Sequence, residues 1–273
     1  ERHSHHGSEM VVPLTRPGQQ LGHLVRITLQ QTSQPASLEQ LVVGLPRRVL
    51  LVLGMHRSGC AAFSGLLAAQ GALAPHNPDH LHALNHQFFE QLDCRWDEPF
   101  PPALPLTEDA IEIALPSLEQ ALAQAYPLSC QAAPWALVSD PRHCRVLPLW
   151  QQMLTLRDLP AAAVLMNRYP IAVVASLFRR ESMPTPQALM LWIQHQLEAE
   201  LHTRHLPRQV VNFEALLHDP ASILKQVAER LPEGSLLLAD NSDLEPFIRP
   251  ELDHSGQARF DLGTQVDPSL LEL

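Results

Sequence analysis

Lysine is nearly missing from this chain: of 19 Lys and Arg side chains, Lys225 is the single lysine. The other cations are arginines, whose planar forks suit bidentate phosphate binding better than a point charge does. Cysteine is sparse, with Cys60, Cys94, Cys130 and Cys144 and no C-x-x-C pair among them. A chain of this size needs no staples, so a reduced, cytoplasmic setting is the simple expectation. No apolar run approaches the roughly 20 residues that span a bilayer, and the start shows no basic-then-apolar signal peptide. The 15 histidines follow no H-E-x-x-H or similar spacing, which favours surface histidines and no metal site. Basic surface is lacking too. A formal charge of −10 speaks against a nucleic-acid partner but leaves room for a small anion, which needs only a few local cations.

What is there is ordinary globular material, 45% hydrophobic and 18% charged over 273 residues. One α/β domain with extensions fits this length as well as two small domains do, and no internal repeat is visible. Glu1–Glu9 is polar and His-rich (His3, His5, His6) and reads as a leftover tag or as a linker from a larger chain, disordered and outside the fold. Residues 11–45 read as an extension with one strand at Leu24–Leu29.

Val49–Leu53 is a continuous apolar run, as expected for a strand buried on both faces. Gly54 ends it, and the Ala- and Leu-rich stretch Cys60–Leu73 reads as a helix opened by Ser58-Gly59. Further strands are expected at Ala136–Val138, Ala162–Met166 and Gln209–Phe213. Helices fill the intervals. Leu189, Ile193 and Leu197 share one helical face beside Trp192, and Ile223, Val227 and Leu231 share another. Pro220 fits the first position of that second helix. Strands alternating with helices predict an α/β fold in three layers, P-loop-like, with a mostly parallel central sheet. Pro99–Pro105 reads as a surface loop.

The loop after the first core strand is Gly54-Met55-His56-Arg57-Ser58-Gly59-Cys60-Ala61. Its glycines have Walker spacing, G-x-x-x-x-G, but Cys60 and Ala61 stand where a nucleotide triphosphatase needs Lys and then Ser or Thr. Magnesium-dependent ATP chemistry is therefore disfavoured. Backbone N–H groups at a helix start still bind an anion without metal. A second candidate anion site follows the strand at Ala162–Met166, in Asn167-Arg168-Tyr169-Pro170 and on to Ser176. The Arg168-to-Ser176 interval puts an arginine at a strand end and a serine two turns into the next helix, where both can converge on one anion.

The loop resembles the G-M-H-R-S-G-T-S loop of bacterial sulfotransferases that use 3′-phosphoadenylyl sulfate (PAPS). The resemblance implies that His56, Arg57, Ser58, Gly59, Cys60 and Ala61 surround the donor's 5′-phosphosulfate, with Arg57 on the bridging and sulfate oxygens. Cys60 and Ala61 replace two hydroxyl residues there, so backbone contacts must carry more of the binding. The family's R-(D/N)-P-x-D-x-x-x-S pattern maps onto Arg168 and Ser176, which implies a 3′-phosphate site. Tyr169 and Ala172 depart from it and alter the helix cap. Ser139-Asp140-Pro141-Arg142-His143-Cys144, with Leu147-Pro148-Leu149-Trp150, is similar to K-D-P-R-x-C-x-x-L-P-x-W. Val211–Pro220 is similar to V-x-Y-E-D-L-x-x-D-P, and Phe247–Leu252 to the closing segment. The motifs imply a sulfotransferase domain over 46–252, an N-terminal extension over 1–45 and a C-terminal tail over 253–273.

Sulfuryl transfer is an in-line displacement on sulfur. Cations must neutralise the sulfate oxygens and the leaving phosphate, and a base takes the acceptor's proton, worth about 10²–10⁴-fold. The family's cationic lysine falls on Ser139, leaving Arg57 and Arg142 for that task. Its base glutamate, in N-P-x-G-Y-(F/W)-E, falls on Ala83 in Asn77-Pro78-Asp79-His80-Leu81-His82-Ala83. His82 is then the leading base candidate, with His80, Glu90 and Asp97 behind it. The acceptor expected is a small molecule offering a hydroxyl or amine, such as a carbohydrate, lipid or other metabolite, selected by the loops 74–106 and 180–188. Two further readings stand beside this one: a donor-binding domain with weak catalysis, and a non-catalytic interaction domain on the same fold.

Overall fold

The computed structural model describes residues 8–14, 23–29, 45–91, 95–99, 108–126 and 135–231. Strands β1 (Ser8–Leu14) and β2 (His23–Leu29) pair antiparallel, with Glu9 opposite Thr28. The extension thus holds a two-stranded ribbon rather than a single strand, and β1 starts at Ser8, within the stretch expected to lie outside the fold. Val11, Val12, Val25, Ile27 and Thr28 supply the β-branched residues that a pleated backbone favours.

The core strand β3 (Val49–Leu53) is buried at all five positions. It is followed by helix α1 (Cys60–Ala69), α2 (Asp79–Gln91), α3 (Glu108–Ala125), β4 (Ala136–Ser139), α4 (His143–Leu156), β5 (Ala161–Asn167), α5 (Pro170–Glu181), α6 (Thr185–His202), β6 (Arg208–Asn212), α7 (Phe213–His218) and α8 (Pro220–Arg230). The four core strands lie in the order β4-β3-β5-β6, and every pairing is parallel. The expected α/β architecture is what the chain adopts. Strand ends move by a residue: Phe213 opens α7 instead of closing β6, and the segment around Pro78, read as a loop, becomes helical at Asp79. Phe100–Pro105, Cys94, Cys130 and Phe247–Leu252 lie outside the described residues.

Side-chain alternation along β3 explains the three layers. Val49, Leu51 and Leu53 join Leu84 and Phe88 of α2, Leu118 and Leu122 of α3, and Leu147 and Trp150 of α4 on one face. Leu50 and Val52 join Phe63 and Leu67 of α1, Leu216 of α7 and Val227 of α8 on the other. Full burial of one Val or Leu side chain contributes about 1.5–3 kcal/mol. A parallel strand with no polar position therefore belongs only at the centre of such a sandwich.

Helix α6 corrects the sequence reading. Ile193 and Leu197, which the spacing assigns to its apolar face, are 43% and 63% exposed, whereas Ala188, Leu191, His195, Glu198 and Ala199 face inward. The reason is a buried ion pair: the Arg145 guanidinium of α4 lies 3.1 Å from the Glu198 carboxylate. His195 finds the Leu191 carbonyl at 2.8 Å. The partner that lets Glu198 face inward comes from another helix, so hydrophobic spacing alone chooses the wrong stripe.

Candidate functional site

The loops after β3 and β4 leave toward opposite faces of the sheet, α1 to one and α4 to the other. The crevice at such a divergence is where open α/β sheets bind ligands. Residues 54–59 sit at that place, and glycine is required at both ends of the loop. A Cβ on Gly54 would lie 2.7 Å from the Met166 carbonyl oxygen of β5. Gly59 has a φ of +93°, and its Cβ would lie 2.2 Å from the Phe213 ring. Arg57 also takes a left-handed backbone, at a φ of 70°, an uncommon state for a non-glycine residue. The Ser58 N–H donates to the Met55 carbonyl at 3.0 Å and closes the turn. The Ser58 hydroxyl is buried and has no hydrogen-bond partner among the described residues.

Two motifs far apart in sequence meet here. Arg57 Nε donates to Ser176 Oγ at 2.8 Å across 119 residues, and an Arg168 guanidinium nitrogen donates to the Arg57 carbonyl at 2.9 Å across 111. Ser176 is buried in the second turn of α5, and Arg168 is buried at the end of β5. The Arg168 guanidinium also lies over the Phe213 ring, 4.7 Å from its centroid, in cation–π contact. Phe213 therefore both seats this cation and sets the space beside Gly59. Pro170 occupies the first turn of α5, as its missing N–H predicts. The Tyr169 side chain makes no cap; instead the Tyr169 N–H donates to the Glu214 carboxylate at 3.1 Å. The altered cap is thus served by an acid from α7.

At the end of β4, Ser139 pairs in register with Val52 of β3. Both carboxylate oxygens of Asp140 accept from Arg142 Nε at 3.0 Å. Burial alone would raise the Asp140 carboxyl. His143, Arg142 and the hydrogen bonds from Asn85 and Arg142 outweigh it and hold the group below the usual carboxylate range. Asn85 of α2 donates to Asp140 Oδ2 at 3.0 Å, accepts from the Trp150 indole at 3.1 Å and meets His143 Nε2 at 3.2 Å. Burial pushes the His143 imidazole down to about 4, so it is neutral near pH 7.

Beside the loop, His56 stacks on Trp96 at 4.1 Å between ring centroids and meets His195 edge-on at 6.1 Å. Burial pushes His56 down to about 4; Asp140 opposes this, and Arg142, Arg180 and Arg57 reinforce it. Residues 95–99 form a short strap that carries Trp96. Gln187 holds it through the Asp97 carbonyl at 2.6 Å, and Arg145 through the Glu98 carbonyl at 3.2 Å. Cys60 lies against Gly54, and burial pushes its thiol up to about 12, so it stays protonated. Ala61 is exposed.

The residues expected to serve as base fall differently. His82 is half-buried on α2, near enough to act electrostatically on His143, while His80 and Ala83 are exposed. Glu90 is exposed and sits 3.5 Å from His86. Asp97 is paired with Arg95 at 2.8 Å, and that bond holds its carboxyl below the usual range. Residues that sequence reasoning passes over include Asn85, Trp96, Phe213 and His195. Phe213 lies inside one of the motifs above, which is a signal; Asn85 and His195 carry none. Among the described residues no three His, Cys, Asp or Glu are grouped to hold a metal ion, and no helix is long and apolar enough to cross a membrane.

No family model matches the chain, and no curated protein matches it. Among solved structures, it is similar to the sulfotransferase domain from the Synechococcus PCC 7002 olefin synthase. The two are 18% identical with a TM-score of 0.47, over 89% of this chain and 87% of that one.

Proposed function

We propose that residues 46–252 form a sulfotransferase domain that binds PAPS at loop 54–59 and transfers its sulfuryl group to a small-molecule hydroxyl or amine. The observation that carries this is the meeting of Arg57, Arg168 and Ser176, the cations and hydroxyl of two phosphate motifs, at the end of β3. The buried Ser58 hydroxyl adds support, since leaving such a group unpaired costs about 1–3 kcal/mol and an anion oxygen in the loop would satisfy it. In this reading the loop N–H groups and Arg57 take the 5′-phosphosulfate, and Arg168 and Ser176 take the 3′-phosphate. The acceptor oxygen or nitrogen attacks sulfur, and the bond from sulfur to the phosphate oxygen breaks. Adenosine 3′,5′-bisphosphate leaves, and His82 receives the acceptor's proton. Arg57 and Arg142 offset the charge that builds on the sulfate oxygens and the leaving phosphate. A carbohydrate, lipid or other metabolite in the cytoplasm is the acceptor class, received on the side of α2 and the 95–99 strap.

A donor-binding domain with weak catalysis is the second reading. It is favoured by Ser139 and Ala83 at the cation and base positions. One pair of experiments decides between the two. Titration with adenosine 3′,5′-bisphosphate should show metal-independent binding, and a sulfate-transfer screen with hydroxyl and amine acceptors should show turnover. His82→Ala should slow that turnover by about 10²-fold with donor affinity unchanged. Firm donor binding with no turnover on any acceptor favours the second reading. Tight magnesium-ATP binding with hydrolysis overturns both.

A further inference from the structure

Asn85 is a fully buried asparagine whose amide joins three elements at the edge of the site. Its Nδ2 has two hydrogens. One goes to Asp140 Oδ2 at 3.0 Å after β4, and the other faces His143 Nε2 at 3.2 Å on α4. Its Oδ1 accepts from Trp150 Nε1 at 3.1 Å. The reversed amide would set its oxygen against the Asp140 carboxylate and its hydrogens against the indole N–H, so the network fixes one orientation. That orientation also fixes a tautomer. His143 Nε2 must accept, and Nδ1–H then donates to the Asp140 carbonyl, 3.2 Å away.

Asp140 is consequently held in place from behind. Its carboxylate, gripped by Asn85, chelates Arg142 Nε with both oxygens at 3.0 Å and takes the Arg142 N–H at 3.0 Å as well. Arg142 follows the end of β4, where Ser139 lies in register with Val52 just before the loop, and its charge reaches His56 of that loop. We infer that Asn85 is a positioning residue: through Asp140 it aims Arg142 at the anion in loop 54–59, and it ties that aim to α2, the helix that carries His82. The inference rests on the donor-site reading above. Positioning of this kind is worth more than the bond itself, because a guanidinium displaced by about an ångström loses its charge-assisted contact.

The test is a double-mutant cycle read by calorimetry with adenosine 3′,5′-bisphosphate. Asn85→Ala should weaken binding by about three- to ten-fold, and Arg142→Ala by about ten-fold or more. The double variant should bind no worse than Arg142→Ala alone, because Asn85 acts through that arginine. Effects that multiply in the double variant overturn the inference and leave the donor site standing. A parent chain that does not bind the bisphosphate overturns the donor-site reading and this inference with it. A second measurement needs neither a variant nor a ligand: ¹⁵N spectra of the parent's histidines at neutral pH. His143 should appear as the neutral Nδ1–H tautomer, and the Nε2–H form would refute the orientation assigned to Asn85.

Discussion

The two sides of the β3 crevice, which the proposed function assigns to donor and acceptor, are built by different physics. On the donor side, backbone geometry and charge-assisted bonds between motif residues do the holding: Gly54, Gly59, Arg57, Arg168 and Ser176. On the acceptor side, the holding is done by buried neutral polar groups with partners scattered along the chain: Asn85 under Asp140, His143 against Trp150, and His56 between Trp96 and His195. A motif can be recognised by spacing, so the first side is written locally. The second exists only after α2, α4, α6 and the 95–99 strap have packed.

Acid should separate the two sides most strongly. The folded pKa values of His56 and His143 are lowered to about 4, and that of His195 to about 3, in each case first by burial. Above about pH 6.5 the folded and unfolded chains both hold these rings neutral. As pH falls below about 6.5, the unfolded chain binds protons that the folded chain refuses. Stability is then lost by about 1.4 kcal/mol per pH unit for each histidine until its folded pKa is reached. Circular dichroism should show acid unfolding with a midpoint between about pH 4 and 5.5 for a neutral-pH stability of about 5–10 kcal/mol. A stability that does not fall between about pH 6.5 and 4 would mean these rings are not held neutral by burial.

Gly59→Ala probes the donor side with the next largest effect. The new methyl group would meet the Phe213 ring at 2.2 Å in a backbone with a φ of +93°. Urea denaturation should report a loss of about 2–4 kcal/mol, and Arg168, which lies over the same ring, should lose its seat. A shift below about 0.5 kcal/mol would show that the loop is softer than described. Ser176→Ala should be the mildest. It removes one acceptor for Arg57 and should cost about 0.5–1.5 kcal/mol of bisphosphate affinity with no change in the thermal midpoint. Equal losses in affinity and stability would make Ser176 a core residue and not part of the anion site.

How much the sequence shows follows the same division. Strand β3 is legible because five apolar residues in a row between arginines and a glycine have only one home in an α/β sandwich. The loop is legible from its two glycines, and the placing of Arg168 and Ser176 against the same Arg57 from the step across a strand end and a proline. The stripe on α6 is misleading because Glu198 is buried against Arg145, a residue of another helix. The partners of Asn85 are equally remote. The His56 ring packs on Trp96 and His195, contacts that no spacing rule contains. The ribbon β1–β2 is half-legible: its second strand has the β-branched alternation, while its first begins inside a polar, His-rich stretch.

Calorimetric titration of adenosine 3′,5′-bisphosphate into the parent chain and into Arg168→Ala tests the central claim most directly. The account predicts metal-independent binding to the parent and a loss of about 1.5–3 kcal/mol in the variant, the scale of a charge-assisted hydrogen bond to phosphate. Equal affinities for parent and variant would contradict it, because Arg168 would then have no part in holding the 3′-phosphate.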